Sequence, residues 1–151
     1  MINNRLDKSF GPVGSFSGIV VFIAGLVSVY FSLFAFILVL IGAFVGFSYS
    51  STWIDMERQR VRFSNNIFGL IKTGPWVQIE NNMKIGIKKS NQVWRSYSRS
   101  NRTLDIANED YRLILYNLEG KMVMPIKKTD NLLSAKTELQ LMCNQMGLSQ
   151  I

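Results

Sequence analysis

The chain has 151 residues, is 48% hydrophobic and carries a net charge of +7, with no histidine and a single cysteine. Without histidine it lacks the usual general base near neutral pH and the commonest metal ligand, and Cys143 alone can form neither an intramolecular disulfide nor a thiolate metal cluster. No Asp, Glu, Lys or Arg occurs in residues 9–54, whereas residues 55–151 hold 15 basic and 9 acidic side chains, so two compositions share one chain.

Residues 1–12, with Arg5, Asp7 and Lys8, read as a short N-terminal cytoplasmic segment. The 46 uncharged residues that follow would make one helix of about 69 Å, more than twice a hydrocarbon core of about 30 Å. The expectation is therefore a transmembrane helical hairpin over residues 13–50, with legs at about 13–29 and 33–49 and a turn among Ser28, Tyr30 and Ser32. Arg5 and Lys8 before it, and Arg58, Arg60 and Arg62 after it, would then lie on one side. The positive-inside rule makes that side the cytoplasm, so the expected protein is multi-pass with both termini cytoplasmic. The apolar run is too long for a signal-peptide core. Gly18 and Gly25 on the first leg and Gly42 and Gly46 on the second are candidate helix–helix packing positions. No ionisable side chain other than tyrosine lies in the legs, which leaves a proton or ion pathway without residues.

Residues 51–151 read as a cytoplasmic domain. Val61 and Phe63 alternate with Arg60 and Arg62 after a turn at 55–59, and Met83, Ile85 and Ile87 alternate with Lys84, Gly86 and Lys88. Tyr111, Leu113 and Leu115, a turn at 117–120, then Met122, Met124 and Ile126 predict a β-hairpin. Shorter strands are expected near 68–72, 76–79, 93–99 and 103–106, and Pro125 should sit on an edge or at a bulge. The period then changes: Leu132, Ala135, Leu139, Met142 and Met146 recur at helical spacing, with Thr129 or Asp130 as cap and Gly147 at the end.

About seven antiparallel strands followed by one helix, with "IDMERQRVRF" after the apolar stretch, "GPWVQI" early in the sheet and "IKKTDNLLSAKTELQLMCNQMGL" at the end, resemble the pleckstrin-homology-like (PH-like) domains of small bacterial membrane proteins, including two-helix membrane proteins of Bacteroidetes. The resemblance implies a membrane α-helical hairpin plus an α+β domain, the latter a bent antiparallel sheet or barrel with a C-terminal capping helix. It also implies a binding surface for lipids, peptides or proteins. The place of the basic inositol-lipid loop of eukaryotic members is taken here by "DMERQ", with Asp55 and Glu57.

Catalytic groups are scarce. Glu109 and Asp110 read as neighbours in a solvated turn, and "GPVGSFSG" has no lysine for a phosphate loop, so neither an enzyme nor a cofactor is expected. The strongest polar signal is "KIGIKKSNQVWRSYSRSNR", in which Lys84, Lys88, Lys89, Arg95, Arg99 and Arg102 are interleaved with Trp94 and Tyr97. It fits three readings: a solvated basic edge, contact with anionic headgroups, or binding of an acidic protein or nucleic acid, of which nucleic acid suits a membrane tether least. With the bacterial resemblance, the functional expectation is a non-enzymatic accessory or interaction module in an assembly of the bacterial inner membrane, with a protein partner or a second copy of itself. The alternative is a sensor of anionic membrane lipids.

Overall fold

The computed structural model describes the backbone of residues 1–97 and 103–151, and the side chains of these except 91–97 and 103–108. It is an α+β protein. In chain order the elements are β1 (Ile2–Lys8), α1 (Gly11–Val29), a 3₁₀ turn (Leu33–Ala35), α2 (Phe36–Phe47), β2 (Tyr49–Asp55), β3 (Arg60–Ile67), β4 (Ile71–Thr73), β5 (Val77–Gln78), β6 (Lys84–Tyr97), β7 (Thr103–Tyr116), β8 (Met122–Thr129), α3 (Leu132–Met146) and β9 (Ser149–Gln150). One sheet is ordered β1-β2-β3-β4 with β5 on β3, and the other β8-β7-β6-β9. The chain divides into two compact units: Met1–Leu6, Thr52–Phe63 and Gly74–Ile151 form one, and Asp7–Ser51 with Ser64–Thr73 form the other.

The second of these units holds α1 and α2. Close approaches join Gly18 to Gly46, Gly42 to Phe22 and Gly25 to Val39, so the two helices run antiparallel. Expected as a second crossing, α2 falls short. With its 3₁₀ turn it spans about 24 Å, while α1 at 19 residues spans about 28 Å, against a hydrocarbon core of about 30 Å. Among the described residues only α1 is long and apolar enough to cross a bilayer, which overturns the multi-pass inner-membrane placement and the topology with both termini cytoplasmic. The reason lies in "SYSS". Ser48 Oγ accepts the Phe68 N–H (3.1 Å), and the Asn66 amide donates to Ser51 Oγ (2.7 Å) and to the Tyr49 carbonyl (3.2 Å). Sheet pairing therefore claims residues that an extended helix would need.

In place of a strand starting at residue 68, Phe68 and Gly69 make the turn between β3 and β4, both at positive φ (56° and 71°). The Leu70 N–H closes it on the Ile67 carbonyl (3.1 Å). Phenylalanine rarely adopts this backbone conformation, and an edge-on contact of its ring with Phe44 (5.6 Å) accompanies it here.

The other unit is built around one core. Ile54, Val61, Ile85, Leu113, Leu115 and Ile126 are fully buried and pack with Ala135, Leu139, Met142 and Met146 of α3. The cap of α3 is Asn131, whose side chain accepts the Ser134 N–H (2.7 Å), one residue beyond the expected caps, and Gly147 ends the helix in the left-handed conformation. Desolvation raises the Cys143 thiol above its ordinary pKa, as suits a position on the buried face of α3. Pro125 sits on the edge strand β8 opposite Ile114, next to a register shift between Leu113 and Ile114.

Two 14-residue strands replace the four short ones expected between 83 and 116, because β6 and β7 pair without interruption from Lys84↔Tyr116 to Tyr97↔Thr103. Glu109 and Asp110 therefore lie inside a strand. Their acids fit there because cations meet them: Lys89 Nζ is 2.9 Å from Glu109, Arg112 Nε bonds Asp110 at 2.7 Å, and Lys128 Nζ on β8 stands 3.8 Å from it. Asp110 is only 2% exposed, so this pairing offsets a desolvation that a turn would never impose.

Candidate interaction surfaces

The helical unit is inside out. Gly11, Ser15, Gly18, Gly25, Ala35 and Gly42 are its buried helical residues, while Phe16 (68% exposed), Ile23, Ile37 and Phe34 (84%) face outward. A Cβ at Gly18 or Gly42 would strike backbone of the opposite helix, so small residues set the spacing and large apolar ones have nowhere to go but out. Tyr30, Phe31, Leu33 and Phe34 leave the tip of the pair exposed, apolar and uncharged.

The turn between β2 and β3 holds the acids Asp55 and Glu57. Asp55 accepts the Arg58 N–H (3.4 Å) and Arg60 Nε (3.0 Å), and the Arg60 guanidinium lies over the Trp76 ring (4.4 Å). Desolvation works against the Asp55 charge, but the Arg60 and Arg58 contacts outweigh it and hold the carboxyl below its ordinary value. A depressed carboxyl contributes stability that is present above the unfolded value of about 3.9 and is lost as pH falls through the folded one. Between pH 5 and 3 the unfolding midpoint of wild type should therefore drop more steeply than that of Asp55→Asn. Parallel profiles would mean that this turn carries no linkage.

Among the described residues of the basic stretch, the lysines do not share one face. Along β6 the register places Lys84 and Lys88 on one face and Lys89 on the other. Lys88 and Lys89 line, with Ser90, Arg112, Ile114, Met122 and Pro125, a groove of about 410 Å³. Lys89 is engaged by Glu109, whose hydrogen bond and charge raise its pKa. Trp94, Arg95 and Tyr97 continue β6 opposite Ile106, Asp105 and Thr103, and their side chains lie outside the described residues, as do Arg99 and Arg102 altogether.

A second groove, of about 430 Å³, was not legible in the sequence. It is lined by Ile87 of β6, Lys136, Leu139 and Gln140 of α3, and Gln150 and Ile151. Here β9 runs parallel to β6 through Lys84↔Ser149 and Ile85↔Gln150, and the Ile151 N–H bonds the Ile85 carbonyl at 3.1 Å. No group of three or more metal-binding side chains occurs among the described residues. Comparison with protein-family models, with curated proteins and with solved structures finds no match to this chain.

Proposed function

We propose that this chain is a non-enzymatic, membrane-attached interaction module, in which a PH-like unit of sheet and capping helix binds a partner protein. One observation carries the attachment: the α1–α2 pair buries glycine and exposes phenylalanine, isoleucine and leucine around an uncharged tip. Water disfavours such a surface, at about 25 cal/mol per Å² of apolar area. Since α2 is too short to traverse the hydrocarbon, the reading is a hairpin embedded from one face of the bilayer. The PH-like reading is supported by the run from β2 to β8 followed by α3, whose apolar stripe covers the sheet.

The purified chain should float with neutral vesicles and stay with them at 1 M salt, where the Debye length is about 3 Å. Phe16→Asp, Ile23→Asp and Ile37→Asp together should abolish flotation, since each charge costs about 3 kcal/mol deep in a membrane. A wild-type chain that remains dispersed and monomeric in buffer with vesicles present would overturn the attachment. The groove of Lys88, Lys89 and Arg112 over Ile114 and Met122 favours a second reading, recognition of anionic headgroups. That reading requires extra, salt-sensitive binding to anionic vesicles.

A further inference from the structure

The edge of β6 is mostly unclaimed. On one side β7 pairs with all fourteen of its residues, but on the other β9 pairs with Lys84 and Ile85 alone. Among the described residues nothing continues that pairing along 86–97. The Ile85 carbonyl points to this edge, because it accepts the Ile151 N–H, and strand alternation points the backbone groups of Ile87 and Lys89 the same way. An open row of this kind is a template for another strand.

Beside this edge lies the groove of Ile87, Lys136, Leu139, Gln140, Gln150 and Ile151. Its floor is apolar at Ile87 and Leu139, and among the described residues Lys136 is the one lining side chain that carries a charge, exposed and in no ion pair with a described residue. The seat already holds β9 at its near end, so its geometry accepts an extended chain. We propose that this edge takes an extended, acidic segment of a partner protein as an added strand, laid between β6 and α3 with alternate apolar side chains over Ile87 and Leu139. Main-chain hydrogen bonds supply affinity, and the pocket with Lys136 supplies the choice of an acidic sequence. The inference rests on the interaction-module reading above and names the partner's chemistry.

The test uses the full chain in neutral detergent, with a blocked seven-residue peptide of alternating Glu and Val as probe and its Lys–Val counterpart as control. The acidic peptide should slow amide exchange at Ile87 and Lys89 while leaving β7 amides unchanged. Lys136→Glu should weaken its binding about tenfold or more, with the circular dichroism spectrum unaltered, and Lys136→Gln should weaken it less. Absence of protection at Ile87 and Lys89, equal binding of the basic peptide, or protection produced by anionic vesicles in place of the peptide would each overturn the proposal. Flotation on neutral vesicles is independent of all three results, so a failure here is distinguishable from a failure of membrane attachment.

Discussion

Gly42→Leu should separate α2 from α1. A Cβ at Gly42 meets the backbone nitrogen of Phe22 and, 2.6 Å away, its Cα, and neither can move aside as the end of a flexible side chain could. Overpacking a well-fitted contact costs about 1 to 3 kcal/mol, and a backbone obstacle places this change at or above the upper end. Spin labels at Ser17 and Phe47, both exposed, should report a longer and broader distance in the variant, read in a Cys143→Ser background. Val20→Leu, on the outward side, should leave the distance unchanged. If Gly42→Leu does the same, close glycine contact is not what holds the helices together.

In the other unit the largest effect is expected at Leu139→Ala. Leu139 is 7% exposed and belongs to the core with Ile85, Leu113 and Ile126. Truncating a leucine in such a place costs about 2 to 5 kcal/mol, the spread reflecting how far the surroundings collapse into the void. Neighbouring Gln140 is exposed, and its change to Ala should stay within about 0.5 kcal/mol. Denaturant unfolding of both variants in detergent, followed through the loss of the sheet signal, separates the two cases. Equal stability would mean that α3 does not close the sheet.

Features encoded by near neighbours are legible in the sequence. The stripe of Ala135, Leu139, Met142 and Met146 reads as a helix because burial on one face repeats every three or four residues, whereas Leu132, expected to begin it, is exposed in the first turn, and Gly147 supplies the left-handed residue that ends the helix. The turn between β7 and β8 is equally local, with the Gly120 N–H on the Asn117 carbonyl at 3.0 Å. The uncharged interval of residues 9–54 predicts apolar helices for the same reason, since composition alone sets what surface a helix can offer.

What sequence by itself determined about this protein is therefore its local periods, its apolar helical stretch and the place where strands give way to α3. Only tertiary structure decided how long α2 could be, because Ser48 and Ser51 are held by Phe68 and Asn66 some fifteen to twenty residues away. The same holds for Asp110, which is charged and polar in the sequence yet buried in a strand, because Arg112 is two residues on and Lys128 comes across from β8. It also divided the lysines of β6 between two faces and brought Lys136 of α3 beside Ile87. Side-chain period is carried along the chain, but the identity of a cross-strand or helix-to-sheet partner depends on register between distant segments, and no local pattern records it.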